Sequence, residues 1–230
     1  MYLYAGVSQS QCATISIENN IITSQYYYGL YLYYTDAEVN NNIISTYSSS
    51  STSWYGIYSY YGHSNFRNNK VHSIARTLTT GYGMNIYYLN NSATSYVEIT
   101  NNEIILKSTG ANYGMYIGYP HKVNIIHNSI YQNATGAVRG LYFANGTSTY
   151  QDNTIKNNNI VITSSDAGAY PIYFSSGTYI GPTYFKTDYN NYYSAGGSVA
   201  YIAVPITTLP ALQTSTQGDM NSVIVNPVIL

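Results

Sequence analysis

The chain has 230 residues and a mass of 25.5 kDa, enough for one sizeable core. Only 7% of the residues are charged and the formal net charge is -1, so the chain lacks both the basic stripe that neutralises nucleic-acid phosphates and the polybasic segment that holds a protein to an anionic membrane. No apolar run approaches the roughly 20 residues that span a bilayer, and the single cysteine, Cys12, excludes an intrachain disulfide and a thiolate metal cluster.

Tyrosine (31) and asparagine (26) are far over-represented, while leucine, alanine, lysine and glutamate are scarce. Tyr, Ile, Val and Thr favour strands and Asn, Gly and Ser favour turns, so the composition predicts an all-β chain of many short strands. Cys12 reads as a small core residue. The opening residues lack the basic segment and apolar run of an export signal, which places any export address elsewhere.

A repeat organises the elements from the first residues onward. The opening Met1-Tyr2-Leu3-Tyr4 matches Leu30-Tyr31-Leu32 and Met115-Tyr116-Ile117, so the chain is expected to begin inside a rung, as a piece of a longer protein. The pattern apolar, any, Asn, Asn, any, apolar follows at 17–22, 39–44, 66–71 and 99–104. Looser copies stand at 125–130, with His127 for the first Asn, at 155–160, and at 187–192 with Tyr189 in that place. Between successive second Asn residues (20, 42, 69, 102, 128, 158, 190) the steps are 22, 27, 33, 26, 30 and 32. A second motif, Tyr-Gly-apolar-Tyr, interleaves with the first at 28–31, 55–58 and 113–116, with variants at 82–85, 139–142 and 170–173.

Each period holds three strand-like segments, as in 113–117, 123–125 and 129–131, and three strands per coil predict a parallel β-helix of about seven coils. The strand period of two assigns the faces: Leu30, Ile57, Met84, Met115, Leu141 and Ile172 point inward, and Tyr31, Tyr58, Asn85, Tyr116, Tyr142 and Tyr173 outward. The Asn pairs read as a turn ladder, because Asn tolerates the left-handed conformation and its amide can bond to the rungs above and below. Coils are expected over 1–194, with 195–230 as an irregular closing segment; Pro205 and Pro210 bracket the break, and a short helix near Leu209 to Gln213 packs on the last rung.

These residues resemble the right-handed parallel β-helix repeat proteins, relatives of the pectate lyase fold. The ending Asp188-Tyr189-Asn190-Asn191-Tyr192-Tyr193, with Asp219, Asn221-Ser222 and Asn226-Pro227, is similar to the closing coil of such domains in large exported proteins of Bacteroidetes-like bacteria. The resemblance implies the right-handed coil and a secreted or cell-surface location. The fold also hosts polysaccharide lyases and hydrolases, which need acidic clusters or paired carboxylates on one face. Glu38 and Glu98 fall at equivalent outward positions two coils apart, roughly 10 Å, with Asn65 between them and Arg67 as a surface partner, and Lys156 lies beside Asp188. His63, His72, His121 and His127 sit at different positions of the repeat. No catalytic residue, metal ion or cofactor is therefore assigned.

The outward tyrosines are the informative feature. Tyr31, Tyr58, Tyr116, Tyr142 and Tyr173 form one ladder with Tyr2, and Tyr33, Tyr60 and Tyr87 a second with Tyr4; Tyr28, Tyr55, Tyr82 and Tyr113 precede them, and Tyr34, Tyr61, Tyr88 and Tyr119 follow into the turn. A neutral aromatic wall of this size marks a binding face. Its expected partners are a neutral polysaccharide, with sugar rings stacking on the aromatic faces, or a protein, including a second copy of the chain. The function expected is a non-catalytic structural or adhesive module of an exported protein, with a lyase or hydrolase and a self-assembling fibre subunit as the alternatives.

Overall fold

The computed structural model describes residues 1–4, 15–23, 27–46, 53–74, 78–89 and 95–227. Cys12 lies outside the described residues, as do the side chains of Tyr2 and Tyr4. The chain winds into a right-handed parallel β-solenoid with three sheets. Sheet I stacks Tyr2–Tyr4, Tyr28–Tyr33, Trp54–Gly62, Thr80–Leu89, Ala111–Gly118, Val138–Ala144, Tyr170–Phe174 and Ala200–Ile202 in parallel, and ends in Val204–Ile206. Sheet II contains Ile15–Glu18, Ala37–Asn40, Asn65–Arg67, Val97–Thr100, Val123–Ile126, Asn153–Lys156 and Phe185–Asp188. Sheet III contains Ile21–Thr23, Ile43–Thr46, Lys70–Ser73, Glu103–Ser108, Ser129–Ala134, Asn159–Ile162 and Asn191–Ser194. Seven strands in each of sheets II and III make about six turns, against the seven coils expected.

Register follows the sequence motifs. Leu30 pairs with Ile57, Ile57 with Met84, Met84 with Met115, Met115 with Leu141 and Leu141 with Ile172, and all six are fully buried. Ile and Val from sheets II and III meet them in one continuous core that also holds Trp54, Phe66, Phe143, Phe174 and Phe185. Burying apolar area at about 25 cal/mol per Å² makes this column the main stabilising term.

The glycine of the Tyr-Gly motif is set by closeness. A Cβ on Gly83 would stand 2.5 Å from Ile104 Cγ2 and 2.6 Å from the Gly114 carbonyl oxygen, so the corner between sheets I and III closes only without a side chain there.

The Asn pairs divide their work. The first member is the left-handed turn residue: Asn19, Asn41, Asn68, Asn101 and Asn157 have φ between 55° and 58°, and His127 and Tyr189 take the same conformation at 59° and 58°. The second member builds the ladder. Each of Asn20, Asn42, Asn69, Asn102, Asn128 and Asn158 donates its backbone N–H and its Nδ2 to the Oδ1 of the next Asn, at 2.9–3.1 Å. From Asn42 onward each Nδ2 also reaches a carbonyl on the previous rung. At the far end Ser222 Oγ stands where the next Asn would be and accepts the Asn190 N–H at 3.0 Å.

Beyond residue 200 the solenoid closes over its own end. The strand reverses at Ala203 (φ 58°) into the antiparallel Val204–Ile206, where Pro205 on the edge discourages a further strand. The expected helix spans Leu209–Thr216, longer at its end than the sequence reading had it. Thr208 Oγ1 caps it by accepting the Ala211 N–H, Pro210 sits in its first turn, and Leu212 is fully buried against the last rungs. Asp219, also fully buried, accepts hydroxyl hydrogen bonds from Ser222, Tyr192 and Thr216 at 2.7, 3.2 and 3.3 Å.

Candidate functional site

Tyrosines occupy sheet I because every outward position of its strands falls in register with the same position one coil away. Four columns result. Tyr28, Tyr55, Tyr82 and Tyr113 stack with ring centroids 5.2, 4.6 and 4.8 Å apart. Tyr31 and Tyr58 stack at 5.1 Å, and past the interruption at Asn85 the column resumes through Tyr116, Tyr142, Tyr173 and Tyr201 at 4.5, 4.9 and 4.4 Å. The third column has Tyr33 over Tyr60 at 5.4 Å. The fourth holds Tyr34, Tyr61, Tyr88 and Tyr119 at 4.9, 4.7 and 4.6 Å, all with φ of 50–57°, a conformation that costs a bulky residue about 1–2 kcal/mol.

Neighbouring columns differ in tilt. Strands repeat at about 4.8 Å, while close-packed carbons meet at about 3.5–4.0 Å, so the rings lean to keep contact. The second and third columns lean alike, with Tyr31 and Tyr33 at 4° and Tyr58 and Tyr60 at 8°. The outer two lean across them: Tyr55 meets Tyr58 at 88° and Tyr61 meets Tyr60 at 88°. The result is a herringbone of stacked and edge-to-face pairs, both favoured by the aromatic quadrupole.

This geometry corrects one expectation about how the wall is presented. Tyr55, Tyr61, Tyr82, Tyr88, Tyr142 and Tyr173 each have a stacked ring on both sides, so their faces are already covered. The face turns ring edges and hydroxyls outward, and Tyr31, Tyr33, Tyr58, Tyr60, Tyr87, Tyr116, Tyr142 and Tyr173 are half-buried by one another. Burial also sets the electrostatics. The phenols of Tyr58, Tyr82 and Tyr116 are pushed well above their ordinary range, first by desolvation and then by neighbouring phenols, and Tyr88 is pushed up to about 12 for the same reasons. Across ordinary pH these four phenols stay neutral hydroxyls. Apart from tyrosine, the one ionisable side chain in the strands of sheet I is Arg139, whose guanidinium lies 4.9 and 4.8 Å from the ring centroids of Tyr170 and Tyr173.

The charged residues singled out in the sequence lie on the other faces. Arg67 pairs with Glu38 but not with Glu98, whose carboxylate accepts from Asn124 Nδ2 at 2.8 Å. Asn65 lies between the two glutamates, donating to Glu38 at 2.6 Å and accepting the Glu98 N–H at 2.8 Å. Lys156 is in register with Asp188; burial pushes that carboxylate up, but hydrogen bonds from Asn221 and Tyr189 and the Lys156 charge hold it below its usual range. His72 meets Glu103 at 2.6 Å, His63 lies 3.3 Å from the Ser95 hydroxyl, and His121 is in neither pair. Among the described residues no group of three or more His, Cys, Asp or Glu side chains is placed to hold a metal ion, and no helix is long and apolar enough to cross a membrane.

Three features escaped the sequence reading. Tyr201 extends the second column although its coil lacks the Tyr-Gly motif; the hydrophobic register Phe143, Phe174, Ile202 carries the signal. Tyr150 adds a tilted ring 5.1 Å beyond Tyr119. Sheet III bears a shallow groove of about 410 Å³ between Glu103, Lys107, Tyr131, Asn159 and Val161, formed by residues from three different coils.

A parallel solenoid of three sheets, with a tyrosine face on one of them, defines a scaffold that displays an extended surface. Residues 5–199 match the family model described as a right handed beta helix region, and the chain belongs to that family. No match was found among curated proteins or among solved structures.

Proposed function

We propose that this domain is a non-catalytic structural and adhesive module of a larger exported protein, located outside the cell or on its surface, and that sheet I docks a neutral polysaccharide. The observation that carries the reading is the herringbone itself: rows of uncharged hydroxyls held at strand spacing on a rigid support. Each ring is already fixed by its neighbours, so little side-chain entropy remains to be lost on binding. An extended neutral glycan, rich in hydroxyls that both donate and accept, matches such rows without burying a charge. Because the column faces are covered, contact runs through phenolic hydroxyls and ring edges, along Tyr31, Tyr58, Tyr116, Tyr142 and Tyr173 and across to Tyr33, Tyr60 and Tyr87.

The test is retention on insoluble neutral polysaccharides together with a glycan array, comparing the wild type with a Tyr31→Phe, Tyr58→Phe, Tyr116→Phe variant. Phenylalanine keeps the stack and removes the hydroxyls, so a folded variant that no longer binds is the expected result. A folded wild type that binds no neutral polysaccharide would overturn the reading and leave a protein partner as the occupant to seek.

A further inference from the structure

The second tyrosine column has one interruption, and it lies in the middle of the face. Asn85 takes the second-column position between Tyr58 and Tyr116. Its side chain points outward, yet the residue is only 5% exposed and its Oδ1 has no hydrogen-bond partner. A buried amide carbonyl left unpaired is unfavourable, whereas a tyrosine there would have continued the column.

The ring that closes over this position is Tyr87, two residues along the same strand. It has left the third column: it sits 6.1 Å from Tyr60 at 43°, where Tyr33 and Tyr60 are nearly parallel. It stacks instead on Tyr116 of the second column, at 5.0 Å and 25°. Gly118 allows the shift, because a Cβ at that position would stand 2.4 Å from Tyr87 Cδ1. Tyr116 also stacks on Tyr142, its neighbour one coil on, and Asn85 is its register partner one coil back, so the Tyr87 ring fills the slot that a ring at position 85 would take. A buried unpaired acceptor thus lies under a single out-of-register ring, with aromatic rings around it.

We infer that Asn85 and Tyr87 form a gated polar subsite in the tyrosine face, in which the Tyr87 ring swings back toward its own column and Asn85 Oδ1 accepts a hydrogen bond from a hydroxyl of a bound neutral sugar. The inference rests on the reading of sheet I as a carbohydrate face and gives that face a fixed point. Stacked hydroxyl rows alone let a polymer slide along the axis; one recessed acceptor selects a register and a sugar with a donor at the matching place. The rings of Tyr58, Tyr82 and Tyr116 form the walls, and Gly118 leaves the space into which the lid rests when the site is empty.

The test uses cellohexaose, mannohexaose and chitohexaose as probes on the intact domain, read by calorimetry and by the side-chain amide resonances of asparagine. The wild type is expected to bind at least one of them with a shift of the Asn85 amide signal. Asn85→Leu keeps the branched four-heavy-atom shape, removes the acceptor and should weaken that binding roughly tenfold, and a melting curve checks that the variant is folded. If Asn85→Leu binds as tightly as wild type, or if the probe moves wall tyrosine signals and leaves the Asn85 amide unmoved, the subsite is refuted and the carbohydrate face stands. If no neutral glycan, polymeric or oligomeric, perturbs any tyrosine of sheet I, the carbohydrate reading itself falls and takes the subsite with it.

Discussion

Asn102 is the residue whose loss the ladder should feel most plainly. It is 1% exposed and joined on both sides: it accepts from the Asn69 N–H and Nδ2, and it donates to Asn128 Oδ1 and to the Phe66 carbonyl, all at 2.9–3.0 Å. In Asn102→Ala the Asn69 N–H is left in the interior without an acceptor, at about 1–3 kcal/mol, and the Nδ2 bond to Phe66 is lost at about 1 kcal/mol. Asn69 Nδ2 keeps Val39 and Asn128 Oδ1 keeps the residue 102 N–H, so these add little. A destabilisation of about 3 kcal/mol is expected, a large share of the roughly 5–15 kcal/mol that holds a domain together. Asn20→Ala makes the comparison, since Asn20 is exposed and among the described residues donates to Asn42 and to the Glu18 carbonyl; it should cost under about 1 kcal/mol. Urea unfolding followed by the fluorescence of the buried Trp54 and by circular dichroism measures both. Equal losses at positions 20 and 102 would refute the argument that interior amides, rather than turn propensity, carry the contribution.

Gly83→Ala drives a methyl group into Ile104 and the Gly114 carbonyl and should cost about 1–3 kcal/mol by overpacking; thermal melting at wild-type temperature would contradict the contact. Tyr142 stacks on Tyr116 and Tyr173, so Tyr142→Ala should lose about 2–3 kcal/mol from two aromatic pairs and their packing, while Tyr142→Phe should lose well under half of that in the same melt. Phenols whose folded values stand above the free value near 10 stabilise the fold fully below pH 10 and lose that contribution as pH climbs through the raised values. Melting temperature should therefore fall steeply above about pH 10, with Tyr58, Tyr82 and Tyr116 forming phenolate late; ultraviolet titration of all tyrosines as one ordinary class in the folded protein would show the burial argument wrong. Glycan binding to a face with one ionised side chain, Arg139, should change little between low and high salt, and a steep salt dependence would point to a charged ligand instead.

Most of the fold was legible because a solenoid writes its register into the sequence. The ladder partners are separated by 22, 27, 33, 26, 30 and 32 residues, the same steps counted between second asparagines. The inward row from Leu30 to Ile172 follows from the strand period alone. What the sequence could not show is what side chains do once they are in register. A list of outward tyrosines suggests a flat wall, but rings on a lattice of strand spacing must lean, and the direction of lean depends on neighbours in two dimensions. Asn85 likewise reads as an exposed interruption; it is buried beside Tyr87, which crosses between columns into the space that Gly118, one coil later, leaves. Such contacts join residues about 30 positions apart through side-chain tilt, which no periodicity records.

The two repeated motifs divide the labour of the domain by position on the coil. The Asn corner is interior, satisfied and insensitive to coil length, since steps from 22 to 33 residues all end in the same pair of hydrogen bonds. Register is thus fixed at a corner away from the outer surface of sheet I. The columns on sheet I inherit that register without having to create it, which leaves their side chains free to serve another purpose. Four tyrosines in left-handed turn positions make the point. Asparagine fills most such positions at the ladder corner, so the turn alone does not call for an aromatic ring. Tyr34, Tyr61, Tyr88 and Tyr119 accept the backbone strain and recover it only in part through stacking and edge contacts worth about 0.5–1.5 kcal/mol each. What the ring adds there is area and a hydroxyl on the outer face, and this is the physical ground for reading sheet I as the working surface of the molecule.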